Sequence, residues 1–197
     1  MPAGFAVEIG GASEQDSEAS SDLSQYAAVL VVLMVATLVL AFRSVVYASM
    51  LGCVAIFSLG LALLSTWSIG FPISFNTILG TLGLIGVALN DSIVVLAAIR
   101  ANPAAAAGDR DALVDEVTGC VRHVLATTAT TIGGFIPLLL FVGGDFWPSL
   151  AIVLVGGIAG ASLVALLFIP AAYILVVDLQ RRVFGTRRSE PVRHAPA

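Results

Sequence analysis

The chain has 197 residues, of which 58% are hydrophobic and 11% charged, with a mean hydropathy of +1.02. A soluble domain carries about 25% charged residues, so this composition excludes an ordinary water-soluble fold and points to lipid as the solvent. The formal net charge is -4, and the nine basic residues are all arginine, which leaves no basic surface of the kind a nucleic-acid binder needs.

Residues 1–23, MPAGFAVEIGGASEQDSEASSDL, are acidic and polar. They have no basic n-region and the first apolar run begins late, so they do not read as a signal peptide. FAVEIGG reads as a strand followed by a glycine turn, the end of a longer region on the outer side. Beyond it the chain predicts an all-α membrane protein. A crossing helix needs about 20 largely apolar residues, and five spans are expected at about 24–42, 45–67, 74–99, 122–142 and 147–177, making up a bundle over 24–180. The cluster Ser68-Ile69-Gly70-Phe71-Pro72 divides what would otherwise be one overlong run, because Gly and Pro disfavour helix continuation. The fifth span contains Pro170, where a kink or tilt is expected.

Every arginine falls on one side of this arrangement: Arg43 after span one, Arg100, Arg110 and Arg122 around the connection between spans three and four, and the rest from Arg181 onward. By the positive-inside rule that side is cytoplasmic. The N-terminus is then periplasmic and the C-terminus cytoplasmic. The long inner connection, 101–121, contains a turn, ANPAAAAG, and a short amphipathic helix, DRDALVDEVTGC, with Leu113, Val114 and Val117 on one side. Residues 181–197 form a basic tail expected to be disordered and to contact anionic lipid. Trp67 and Trp147 stand at the outer ends of their spans, where interface aromatics belong. Cys53 and Cys120 form no metal or disulfide pattern, and no metal or cofactor is expected.

Asp91 is the only charged residue deep in a predicted span. It lies nine residues from Arg100, about 13 Å inward in a hydrocarbon core about 30 Å thick. An ionised carboxylate there costs about 2.5–3.5 kcal/mol, so it needs a proton, a cation or several donors. A carboxyl that can be loaded and unloaded with a proton is the usual hardware of proton-coupled transport; the alternative is a hydrogen-bonded acid that only cements helix packing. Asn90 lies about 100° away around the helix, in a stripe with Gly86, Gly83 and Asn76 that suits close helix contact. Span four supplies Thr127, Thr128, Thr130 and Thr131, of which Thr130 and Thr131 lie at the depth of Asp91. Their hydroxyls both donate and accept, so Thr127 and Thr131 join Asp91 and Asn90 as candidate relay residues, with back-bonding to the helix as the alternative. Gly156 and Gly160 form GxxxG in span five, a packing motif.

Three segments, GLIGVALNDSIVVL, RHVLATTATTIGGFIPLLL and FWPSLAIVLVGGIAGASLVALLFIPAAYIL, resemble in order and spacing consecutive parts of the resistance-nodulation-division (RND) efflux permeases, the AcrB/AcrD/AcrF-like exporters. The chain resembles the C-terminal five of their twelve helices, and residues 5–26 resemble the exit from the periplasmic porter region. The resemblance implies export of drugs or other amphiphiles driven by proton influx. It also implies a location in the bacterial inner membrane, a trimeric assembly with the rest of the permease, and partnership with a periplasmic adaptor and an outer-membrane channel. The helix-ten relay positions then fall at Asn90 and Asp91, and the helix-eleven threonine at Thr127. The chain departs from the best-studied exporters where Asn90 replaces a lysine and Asp91 an asparagine, where Cys120 replaces an arginine, and where an acidic residue near Ala97 is missing. The paired aspartates of helix four are also missing, so the chain is expected to be a truncated product, one part of a split permease or a remnant, unable to pump alone. Two rival classes stand beside this reading. An intramembrane aspartyl protease needs two facing carboxyls and this chain offers one, so no enzymatic activity is expected. A non-transporting membrane scaffold or assembly partner is the other.

Overall fold

The computed structural model describes Tyr26 and residues 29–70, 73–144 and 146–184. The porter-like segment and the tail beyond 184 lie outside the described residues. Among the described residues every regular element is a helix: α1 (Val29–Phe42), α2 (Val45–Ile69), α3 (Phe75–Ala101), α4 (Pro103–Ala106), α5 (Arg110–Leu140) and α6 (Phe146–Phe184). Four of these, α2, α3, α5 and α6, are long and apolar enough to cross a membrane, and α1 is a shorter apolar helix.

The breaks follow local chemistry. α2 stops at Gly70, which adopts φ 77° and donates its N–H to the Trp67 carbonyl at 3.1 Å, the left-handed ending that glycine permits without a Cβ clash. Ser74 opens α3 with its backbone N–H on the Thr77 hydroxyl at 3.3 Å. Between α1 and α2 the chain reverses through Arg43, the one non-glycine residue among those described with a positive φ, 49°. A side chain there costs roughly 1–2 kcal/mol. The amphipathic segment expected as a separate short helix is continuous with span four: α5 runs unbroken for 31 residues from its Asp109 cap. Gly119 lies inside it, and a lone interior glycine weakens a helix by only about 1 kcal/mol, too little to stop a helix anchored on both sides. α6 is likewise continuous for 39 residues and passes through Pro170.

α6 is the centre of the bundle. It packs on α3 most extensively, then on α2 and α5, and it is the most buried of the long helices while α5 is the least. Small residues let these helices approach. A Cβ on Gly156 would stand 2.7 Å from the Ser65 Cβ of α2, and one on Gly160 would stand 2.8 Å from Leu61 Cδ2. The Ser65 hydroxyl crosses the same contact to donate to the Ile152 carbonyl at 3.1 Å. The GxxxG face of α6 therefore meets α2. Gly157 meets Leu84 of α3 instead.

The arginine-bearing end is closed by a set of polar and aromatic contacts. The Arg100 guanidinium lies 4.8 Å from the Tyr47 ring centre and 5.6 Å from that of Phe42, and donates to the Phe42 carbonyl at 3.3 Å, so it caps the last turn of α1. Tyr47 stacks on Tyr173 at 5.6 Å, and the Tyr173 hydroxyl donates to the Ala106 carbonyl at 3.3 Å. Asn102 caps α4 through its side-chain oxygen and donates from Nδ2 to Glu116 at 2.9 Å. Arg181 donates to the Ala107 carbonyl. Gly108, with φ 84°, runs so near α6 that a Cβ would come within 2.8 Å of Val177 Cγ1.

Two glycines predict opposite outcomes of the same substitution. Gly156→Ala forces overpacking, which typically costs about 1–3 kcal/mol, and should lower the thermal midpoint of the bundle in detergent. Gly86→Ala meets open space within 4 Å, so the helix-propensity gain of up to about 1 kcal/mol should leave that midpoint unchanged or raised.

Candidate functional site

Asp91 points into the bundle and is 3% exposed. The buried positions of α3, among them Leu84, Ala88, Asp91, Val95 and Ile99, recur at intervals of three or four, so the carboxyl shares the apolar face that packs on α6. The opposing face of α6 is built from Ile158, Ala161, Ser162, Ala165 and Ile169, and its small side chains leave room for a polar contact. Ser162 Oγ donates to Asp91 Oδ2 at 2.9 Å. The Ser162 and Thr128 hydroxyl oxygens are 2.6 Å apart, and Thr128 Oγ1 lies 2.8 Å from the Val124 carbonyl of its own helix. All three side chains are buried. The result is a hydrogen-bonded row that joins α3, α6 and α5 in apolar surroundings, where each such bond is electrostatically stronger than in water. Thr127 and the exposed His123 of α5 lie near the Asp91 carboxyl, and the Thr127 hydroxyl donates to the Val124 and His123 carbonyls of its own helix at 2.8 and 3.2 Å.

The relay candidates therefore separate. Thr127 lies near Asp91 with its hydroxyl bonded to its own helix. Thr131 is half-buried and donates to the Thr127 carbonyl at 2.7 Å. Asn90 is exposed on the outer face of α3, as are Gly83 and Gly86. A Cβ on Gly83 would lie 3.6 Å from Leu154 Cδ2. Gly86 borders an apolar groove of about 500 Å³ between α1, α2 and α3, lined also by Leu30, Met34, Gly52, Ile56 and Ile85. Two members of the row, Ser162 and Thr128, are not among the relay candidates read from the sequence, although Thr128 belongs to the threonine patch. The available signals were weak. Ser162 is the one hydroxyl residue of the fifth span between Ser149 and Tyr173. Thr128 continues the spacing Cys120, Val124, Thr128, which is the buried stripe of α5.

A protein-family model described as the AcrB/AcrD/AcrF family matches residues 1–177. The swarming motility protein SwrC of Bacillus subtilis is 29% identical over 190 residues, 94% of this chain and 18% of that protein. The cobalt-zinc-cadmium resistance protein CzcA of Cupriavidus metallidurans is 28% identical over 199 residues, 100% of this chain and 19% of that protein. The crystal structure of a heavy metal efflux pump superposes with a TM-score of 0.72 at 23% identity, covering 88% of this chain and 18% of that one, and shares the fold. The chain thus spans about a fifth of the length of the curated relatives it matches.

The row itself makes a stability prediction. Ser162→Ala leaves a buried carboxyl without its donor and should cost about 1–3 kcal/mol in denaturant unfolding of the bundle in lipid or detergent. Thr130 is exposed and bonded only to its own helix, so Thr130→Val should stay within about 0.5 kcal/mol. Equal effects would mean that the row contributes no more than surface hydroxyls do.

Proposed function

The chain belongs to the AcrB/AcrD/AcrF family of RND efflux permeases, and from that premise we propose that it supplies the C-terminal membrane part of a proton-driven exporter, incomplete without the remainder of the permease. The observation that carries the reading is the buried Asp91 carboxyl of α3, which accepts from Ser162 of α6, itself in contact with Thr128 of α5. A carboxyl held this way can keep a proton or release it without leaving its site. Export would follow when its change of charge alters how α3, α5 and α6 pack.

The proposed setting is the bacterial inner membrane, with the N-terminus periplasmic and the arginine-bearing end cytoplasmic, in a trimer that engages a periplasmic adaptor and an outer-membrane channel. Asp91 is the proton carrier, Thr127 a polar neighbour on the proton's path, and Asn90 and Thr131 lie outside the carboxyl's own contacts. The chain is not proposed to be an enzyme. Membership in a family of exporters favours this reading over a passive scaffold.

For cargo, amphiphilic compounds are the first reading, supported by the apolar groove between α1, α2 and α3, whose lining suits a hydrocarbon or aromatic body. A divalent metal cation is the second reading, favoured by the names of the cobalt-zinc-cadmium resistance relative and the heavy metal efflux pump.

Co-expression with the N-terminal part of a matching permease, in cells stripped of their own exporters, tests both levels. Asp91→Ala should abolish export, a loss of at least about tenfold, corresponding to about 1.4 kcal/mol of coupling, while the assembled complex stays at its normal abundance. Unchanged export in Asp91→Ala would remove the proton-carrier assignment. Parallel challenge with an amphiphilic dye and with zinc or cobalt separates the two cargo classes.

A further inference from the structure

The row of oxygens through Asp91 contains more contacts than protons when the carboxyl is ionised. Three contacts run in series: Asp91 Oδ2 to Ser162 Oγ at 2.9 Å, Ser162 Oγ to Thr128 Oγ1 at 2.6 Å, and Thr128 Oγ1 to the Val124 carbonyl at 2.8 Å. The two hydroxyls bring one proton each, and the carbonyl brings none. With Asp91 charged, one of the three contacts must lack a proton. The carboxylate is the strongest acceptor and holds the Ser162 proton. Two bare oxygens 2.6 Å apart would repel, so the Thr128 proton turns to Ser162. The contact left without a proton is the one to Val124. With Asp91 protonated there are three protons for three contacts. The row then fills in one direction: Asp91 to Ser162, Ser162 to Thr128, Thr128 to the Val124 carbonyl.

We propose that Ser162 and Thr128 are positioning residues that transmit the protonation of Asp91 from α3 through α6 to the α5 backbone, by a reversal of hydroxyl direction that connects Thr128 to the Val124 carbonyl when Asp91 is neutral and disconnects it when Asp91 is charged. The inference rests on the reading that Asp91 exchanges a proton during transport. The hydroxyl protons are conserved throughout; the one proton gained or lost is the carboxyl's, exchanged with water.

The acceptor end has the right character. The Val124 carbonyl has two lone pairs. It takes the helical N–H four residues on and lies 2.8 Å from the hydroxyls of both Thr127 and Thr128. Three donors compete for two positions, and Thr127 has a second acceptor, the His123 carbonyl at 3.2 Å. Arrival of the Thr128 proton therefore displaces Thr127 rather than stacking a third bond on one oxygen. Hydroxyl back-bonding of this kind bends helices, so the charge on Asp91 sets the local curvature of α5.

Other titratable groups around Asp91 are few. α5 carries the exposed His123 near it and the buried Cys120 about one turn before that histidine. α2 contributes Tyr47, which is stacked on Tyr173 of α6, and Cys53, which is exposed. The ion pairs of Asp178 with Arg110 and Arg181 lie at the far end of α6, and α4 carries no titratable side chain.

The test is isotope-edited infrared spectroscopy of the full chain in lipid vesicles, with labels on the Asp91 carboxyl and the Val124 carbonyl, followed through a pH titration. The expected result is a carboxylic-acid band from Asp91 on acidification and, with the same midpoint, a shift of the Val124 amide band as its hydroxyl donor changes from Thr127 to Thr128. Ser162→Ala and Thr128→Val should each abolish the Val124 shift while the Asp91 band still appears, and Ser162→Thr and Thr128→Ser should restore it. A Val124 band that ignores the titration of Asp91, or that still shifts in Ser162→Ala, overturns the inference and leaves the proton-carrier reading intact. Absence of any Asp91 acid band across the titration overturns both.

Discussion

The bundle depends on keeping one carboxyl satisfied in a medium that cannot hydrate it. Lipid offers no donors, so the partner of Asp91 must come from the protein; it is Ser162 of α6, which is held in turn by Thr128 of α5. That requirement fixes more than a local contact. Ser162 can reach Oδ2 only if α6 lies close along α3, and Thr128 can reach Ser162 only if α5 presents one particular face. Three helices that would otherwise slide on apolar surfaces are held in rotational register by two short hydroxyl contacts.

The small residues of α6 belong to the same arrangement. Gly156 and Gly160 bring α2 in on one side, while Gly157 and Ala161 admit α3 on another. In hydrocarbon, where apolar side chains gain nothing from mutual burial over contact with lipid, such close approach supplies the dispersion contact that holds helices together. α6 therefore combines a dry, small-residue face toward α2 with a single polar point toward α3 and α5. At the arginine-bearing end the division of labour changes: the rings of Phe42, Tyr47 and Tyr173 and the guanidinium of Arg100 replace glycine contacts, and the loop 102–109 is stitched to α5 and α6 through side-chain hydrogen bonds.

Most of the architecture was legible because hydropathy records it directly. Spans two to five overlap long apolar helices whose ends fall within a few residues of the expected positions, except at the start of α5 and at the end of α6, which runs on to Phe184. There the segment from Arg110 is polar on one side, so composition separates it from the span that follows, whereas the backbone hydrogen bonds do not. The site was legible only in part. A lone aspartate in an apolar run announces itself. Which neighbour it touches does not follow from depth, because adjacent residues on a helix differ by about 100° in direction. Asn90 beside Asp91, and Thr127 beside Thr128, are equivalent in depth but not in facing. The choice is made by the packing of α5 and α3 on α6, which no single segment encodes. Ser162 was hidden for another reason: in a stretch of Gly and Ala it reads as one more small residue.

The unbroken course of α5 has a mechanical consequence. Thr128 stands eighteen residues from Arg110, about 27 Å along a straight helical axis, with no hinge between them. A change of only a few degrees in the axis at Thr128 becomes a sideways swing of an ångström or more at Arg110, the end that leans on Asp178. The helix is thus a tiller: its pivot is buried beside the acid, and its far end carries any tilt to the contacts with Asp178 and the 102–109 connection.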